Sequence, residues 1–207
     1  MEQGLKNYLV VTGSYWAFTL TDGAIRMLVV LYFHLLGYSP LEVAMLFLFY
    51  EFFGIVTNLV GGWLGSRIGL NLTMHIGMSM QIVALSMLTV PDHWLSVAYV
   101  MFAQALSGIA KDLNKMSAKA SIKTLLPEDS EQHSKLFKWI SILTGSKNAL
   151  KGIGFFLGAF LLQVFEFRGA LGILSGMLTL ILILSIILLP CKIAIPVAPA
   201  FKLILMS

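Results

Sequence analysis

From residue 171 to residue 189 the chain reads LGILSGMLTLILILSIILL, with no charge and an apolar side chain at nearly every helical angle. A helix on a soluble domain keeps one polar face, whereas a stretch apolar all round and ~20 residues long matches a ~30 Å hydrocarbon core. Runs of comparable length recur over 8–34, 41–63, 72–90, 94–113, 139–165 and 169–189. Hydrophobic residues make up 58% and charged residues 12% of the sequence, and the mean hydropathy is +0.87. Soluble domains carry about 25% charged residues. The expectation is an all-α integral membrane protein, a six-transmembrane-helix bundle over 1–190 with a short irregular tail over 191–207.

Turn chemistry separates the runs: Gly37-Tyr38-Ser39-Pro40, Gly65-Ser66-Arg67-Ile68-Gly69, Pro91-Asp92-His93, Leu126-Pro127-Glu128-Asp129-Ser130 and Glu166-Phe167-Arg168-Gly169. The first run is too long for a signal-peptide core and lacks a small-residue cleavage pattern, so it reads as a retained helix. With the N-terminus in the cytoplasm, Lys6, Arg67, the lysines of the 119–138 loop, Lys192 and Lys202 fall inside and mainly Arg168 falls outside. That is the positive-inside arrangement, with both termini cytoplasmic. It accounts for the net charge of +4 without nucleic acid. One cysteine, Cys191, excludes an internal disulfide and a thiolate cluster, and the four histidines are scattered, so no metal or cofactor is expected.

An ionisable side chain at membrane depth is costly unless it faces protein or water, which makes the charges inside the runs the informative ones. Asp22 and Arg26 stand one turn apart in the first run. They read either as a self-neutralised pair that tolerates burial or as a cavity-facing pair that holds and releases an anion. Glu51, near the middle of the second run, is either a proton-titrating group or the structural partner of a base on another helix, and Asp22 and Glu51 are the ion-coupling candidates. Lys111, Lys115, Lys119 and Lys123 recur at four-residue spacing with Asp112 among them, and Lys147 and Lys151 repeat the spacing in the fifth run beside Ser146 and Asn148.

Counted from the outer helix ends at ~1.5 Å per residue, Lys151 lies ~21 Å deep, Lys111 ~26 Å, Lys147 ~27 Å and Lys115 ~32 Å. The fourth and fifth helices are expected to form an antiparallel hairpin whose bases meet at similar depth. Arg26, Lys111, Lys115, Lys147, Lys151 and Asn148 are therefore the candidate substrate-binding residues. The other reading, strongest for Lys115 and Lys119, is snorkelling to lipid headgroups. Gly61, Gly65 and Gly69, and again Gly154 and Gly158, have the four-residue spacing that lets helices approach closely in lipid.

The junction Gly62-Trp63-Leu64-Gly65-Ser66-Arg67-Ile68-Gly69-Leu70-Asn71 resembles the major facilitator superfamily signature G-x-L-(G/A)-D-R-x-G-R-R. Gly62, Leu64, Gly65, Arg67 and Gly69 match, while Ser66 replaces the acid and Leu70-Asn71 the basic pair. Gly145, Gly154 and Gly158 fit the first three glycines of the antiporter motif G-x8-G-x3-G-P-x2-G-G, with Ala159 in place of proline. Of the proton-coupling motif R-x-x-Q-G only Gln104 is present, Met101 and Ala105 replacing the arginine and glycine.

The blocks YLVVTGSYWAFTLTDGAIRMLVVLYFHLLGYSP, FLFYEFFGIVTNLVGGWLG, QALSGIAKDLNKMSAKA and LTGSKNALKGIGFFLGAFLL are similar to the organoarsenical efflux permeases of that superfamily. The resemblance implies one half, three plus three helices, of a transporter in a bacterial inner (plasma) membrane. It also implies export of 1-arseno-3-phosphoglycerate, with arsenate resistance and a functional link to a glyceraldehyde-phosphate dehydrogenase.

Such a chain is expected to act as the amino-terminal half of an organic-anion exporter. It is expected to be either a truncated product or a unit that pairs with a second half or with its own copy. A non-transporting scaffold whose lysines bind anionic lipid is the alternative. The spans hold no His/Cys/carboxylate cluster and no nucleophile with a base, so an enzyme is not expected.

Overall fold

The computed structural model of the protein describes residues 2–125 and 132–189. Helices α1 (Glu2–Leu35), α2 (Pro40–Met45), α3 (Leu48–Ile68), α4 (Leu70–Met87), α5 (Val97–Leu125) and α6 (Gln132–Leu188) follow one another, with a 3-10 turn at Asp92–Trp94. No strand occurs among the described residues. As one rod the 57 residues of α6 would reach roughly 85 Å, nearly three hydrocarbon cores. The helix breaks instead at Glu166, whose φ of 58° and ψ of 178° leave the helical region. Its two arms, 132–165 and 167–188, make two crossings.

Six membrane-length segments are thus present: α1, α2 with α3, α4, α5 and the two arms of α6. Among the described residues, only Lys6–Leu35, Pro40–Ile68 and Phe137–Leu188 are long and apolar enough to cross a membrane by length and composition alone. The polar residues of α4 and α5 explain the shortfall. Asn71, Thr73, His75 and Gln81 of α4 and Gln104, Ser107, Asp112, Asn114 and Ser117 of α5 are all buried within the bundle. The outer surface carries large apolar side chains instead, among them Leu59, Phe156 and Ile187, which are 78%, 81% and 72% exposed. A polar residue is tolerated in a membrane helix when neighbouring helices, rather than acyl chains, surround it.

Several expected boundaries shift for local reasons. The run over 41–63 is split, because Ser39 and Glu42 form a capping box that starts the short α2 and the chain turns again before Leu48. The Gly65–Gly69 break contracts to one residue. Helix α3 continues through Ile68, and Gly69, at φ +95°, turns the chain directly into α4; a side chain at that φ is strained. Helix α5 runs on past residue 113 to Leu125. The break at Leu126–Ser130 and the tail over 191–207, with Cys191, Lys192 and Lys202, lie outside the described residues.

The expected hairpin of the fourth and fifth crossings is not what packs. Helix α6 docks chiefly on α1, α5 docks on α3 and α4, and α5 and α6 touch only slightly, with α1 between them. Glycine contacts decide this. A Cβ on Gly23 would stand 2.7 Å from the Lys151 carbonyl oxygen and one on Gly154 would stand 2.5 Å from that of Leu20. One on Gly158 would strike the Ala24 carbonyl. The backbones of α1 and α6 therefore meet with nothing between them, the close approach that drives association where lipid removes the hydrophobic incentive. A bond from Trp16 Nε1 to Ser146 Oγ, 2.9 Å, ties the same two helices nearer the start of α6.

Candidate functional site

Where α1, α3, α5 and the first arm of α6 converge, a cavity of about 330 Å3 is lined by Arg26, Glu51, Gly54, Ile55, Asn58, Lys111, Asp112, Lys115, Lys147 and Lys151. Each helix contributes through its own periodicity. On α3, Glu51, Gly54, Ile55 and Asn58 occupy positions i, i+3, i+4 and i+7, a single face. Lys111 and Lys115 are one turn apart on α5, as are Lys147 and Lys151 on α6. Arg26 stands three residues after Gly23, whose close contact is with the Lys151 backbone, so the α1–α6 crossing itself sets Arg26 beside Lys151.

The cavity is polar in a chain that is otherwise apolar, and its charge is unbalanced. Five cationic side chains face it against two carboxylates, Glu51 and Asp112. The carboxylates differ in place. Asp112 is 6% exposed and sits behind Lys115 at 3.2 Å and Lys111 at 3.7 Å. Gly54 leaves it room: a Cβ there would come within 2.8 Å of its Oδ2. Glu51 is 59% exposed and reaches from α3 to Arg26 at 2.7 Å and Lys111 at 3.6 Å. Lys147 and Lys151 are half-buried and have no carboxylate within ion-pair distance among the described residues.

Asp22 does not pair with Arg26. It is buried behind the cavity wall and accepts a 2.6 Å hydrogen bond from the hydroxyl of Tyr50, while Arg26 donates to Glu51. Tyr50 is fully buried and its ring carries two cations, the Arg26 guanidinium 3.9 Å and the Lys111 ammonium 4.1 Å from its centroid. Cations at that range are attracted by the ring quadrupole, more strongly where water is excluded. Tyr50 thus joins Asp22 on α1 to the bases of α1 and α5.

Of the two readings of Glu51, the ion pairs with Arg26 and Lys111 supply the partner on another helix. Asn148 is exposed and is not among the residues lining the cavity. Lys119 does not line it either, and the side chain of Lys123 lies outside the described residues. Tyr50 and Asn58 were not singled out from sequence. The signal for Asn58 was its i+7 relation to Glu51, and for Tyr50 its place beside an intramembrane acid.

Among the signature positions, Gly69 supplies the turn, Gly62 and Gly61 lie against Met116, and Gly65 lies against Leu70. Leu64 stands in the last turns of α3. Arg67 lies over the Trp63 ring at 4.7 Å and pairs with no acid among the described residues. Gly145 has nothing within 4 Å of where a Cβ would be, unlike Gly154 and Gly158. On the opposite end of the bundle, Asp92 accepts from Tyr32 at 2.7 Å and Arg168 at 2.9 Å, joining the α4–α5 connection to α1 and the α6 break.

A helical membrane bundle with a charged cavity walled by its first, second, fourth and fifth crossings is a transporter-type half. The chain belongs to the major facilitator superfamily, whose family model matches residues 11–201. Its fold is similar to a structure described as substrate recognition in proton-dependent oligopeptide transporters, with TM-score 0.74 and 17% identity over 98% of this chain and 46% of that one. It is likewise similar to a bacterial homologue of the human drug peptide transporters PepT1 and PepT2, with TM-score 0.72 and 17% identity over 98% and 47% of the two chains. A peptide transporter solved in complex with sulfate matches at TM-score 0.61 and 18% identity, over 97% and 42%. The chain therefore spans just under half the length of these structures. None of the curated proteins is significantly similar to it in sequence.

Proposed function

We propose that the chain forms one wall of an anion pathway, the amino-terminal-type half of an organic-anion exporter whose cargo is 1-arseno-3-phosphoglycerate. The observation that supports this reading is the cavity with five cations against two carboxylates, two of those cations being lysines without a carboxylate partner among the described residues. Cations held out of bulk water without counter-charge are costly, and a multiply charged anion offsets that cost through charge-assisted hydrogen bonds. The volume of about 330 Å3 falls at the small end of the ~300–1,000 Å3 range of ligand pockets, in keeping with a three-carbon acid carrying an arsenate group at one end and a phosphate at the other. The block resemblance to organoarsenical permeases supplies the identity of the cargo. In this reading Arg26, Lys111, Lys115, Lys147 and Lys151 bind substrate, and the chain works with a second six-helix unit, a separate half or a second copy. A lipid-binding scaffold is disfavoured because Lys147 and Lys151 line the cavity.

The site is tested by binding of 3-phosphoglycerate to the chain in nanodiscs. Lys147→Ala and Lys151→Ala should each weaken it about tenfold, the loss of one charge-assisted bond of ~1.5 kcal/mol. Unchanged affinity in both variants would sink the site. The cargo is tested in an arsenate-sensitive cell containing a glyceraldehyde-phosphate dehydrogenase. Co-expression with a second six-helix unit should restore tolerance, and tolerance from the chain alone would instead favour a self-paired transporter. Failure to confer tolerance in either arrangement would sink the arsenate assignment.

A further inference from the structure

The two carboxylates of the cavity are not equivalent, and neither are its cations. Asp112 is 6% exposed and fixed between Lys111 and Lys115, behind the side chains that an arriving anion would meet. Glu51 is 59% exposed and holds Arg26 at 2.7 Å and Lys111 at 3.6 Å, with its carboxylate in the cavity. Lys147 and Lys151 face the same cavity with no carboxylate in reach among the described residues. An anionic group arriving at Lys147 and Lys151 displaces nothing. One arriving at Arg26 and Lys111 must first displace Glu51.

We propose that Glu51 is a built-in stand-in for the second anionic group of the cargo, so that the cavity has one open anion subsite at Lys147–Lys151 and one guarded subsite at Arg26–Lys111. This rests on the anion reading above and names the cargo class more narrowly: a molecule with an anionic group at each end. A single small anion fills the open subsite and gains nothing from Arg26, because Glu51 already satisfies it. A ligand anchored at the lysines presents its second group at high effective concentration and competes Glu51 away. Tyr50 keeps the guarded pair in place during the exchange, since its ring holds the Arg26 and Lys111 side chains at 3.9 and 4.1 Å whichever anion they face. Glu51 so keeps the Arg26–Lys111 pair closed to ligands unable to replace it.

The test compares inorganic phosphate, with one anionic group, and 3-phosphoglycerate, with two, by calorimetry on the chain in nanodiscs. Wild type should prefer 3-phosphoglycerate. Glu51→Gln should tighten 3-phosphoglycerate binding roughly tenfold, the fold-change for one charge-assisted bond no longer contested, and leave phosphate at the lysine subsite nearly unchanged, so that the preference widens. Glu51→Ala should do the same and serves if the glutamine variant misfolds. As a further check, Arg26→Gln should weaken 3-phosphoglycerate binding more in the Glu51→Gln background than in wild type, because only there does Arg26 bind it without giving up a carboxylate. If both probes bind and neither Glu51 variant changes their ratio, the stand-in role is overturned while the anion site stands. If neither probe binds wild type, the anion reading falls and this inference with it.

Discussion

Tyr50 shows how much one side chain can organise. It has no exposure, its hydroxyl donates to Asp22 at 2.6 Å, and its ring receives Arg26 and Lys111. Asp22 is itself 4% exposed, so deleting the hydroxyl strands a buried carboxylate. Tyr50→Phe should therefore lower stability by about 1–3 kcal/mol, the cost of an unsatisfied buried polar group, while leaving the two ring contacts. Tyr50→Leu should cost more and should also weaken anion binding, because both cations lose their seat. Thermal unfolding in detergent, followed beside phosphate affinity, separates the two effects. Equal losses of stability and affinity in the two variants would refute the division of labour between ring and hydroxyl.

At the level of the elements, the α1–α6 crossing is the joint on which the cavity depends. Gly23, Gly154 and Gly158 put two helix backbones in contact, and the crossing carries Arg26 and Lys151 to the same wall. Gly158→Val would drive a branched side chain into the Ala24 carbonyl. Overpacking of this kind costs about 1–3 kcal/mol, and here the helices must separate because backbone rather than a flexible side chain stands opposite. The expected outcome is a lower unfolding temperature together with a reduced yield of cross-link by a short bis-maleimide between Trp16→Cys and Ser146→Cys in a Cys191→Ser background, positions on the two helices that the native Trp16 Nε1–Ser146 Oγ bond of 2.9 Å joins. An intact cross-link in Gly158→Val would show that the crossing tolerates the valine. Gly145→Val, with nothing within 4 Å, serves as the control expected to have little effect.

For the molecule as a whole, polarity is arranged for lipid outside and protein inside. Large apolar side chains such as Leu59, Trp63 and Phe156 are exposed, while Gln81, Gln104 and Asn114 are fully buried. We propose from the charge asymmetry that the α3–α4 junction, which carries Arg67, faces the cytoplasm and that the opposite end, with the Asp92–Arg168 pair, faces away from it. The positive-inside rule predicts that, in a Cys191→Ser background, Ser66→Cys reacts with an impermeant thiol reagent only from the cytoplasmic side and His93→Cys only from the other. Labelling of both from one side would contradict the six-crossing topology, since one crossing, α4, lies between the two positions. Labelling in the reverse sense would keep the fold and invert its orientation.

Sequence alone determined the membrane class, the six helical segments and the cationic members of the cavity, because each follows from local properties. Apolar length is read within one run, and lysines four apart share a face whatever the helix packs against. Even Gly69 and Glu166 fall within the breaks that turn chemistry marked, although Glu166, a non-glycine residue at positive φ, gave no signal of its own. Tertiary structure alone decided the partners. Arg26 took Glu51, 25 positions away, in place of Asp22 one turn away, and Asp22 took Tyr50, 28 positions away. It also placed α1 between α5 and α6, so that the lysines of the two helices face one cavity without their helices pairing. Such choices depend on how each helix is rotated and how closely two backbones approach. Those quantities are set by glycines meeting carbonyls on another helix, and no window of sequence contains both sides of the contact.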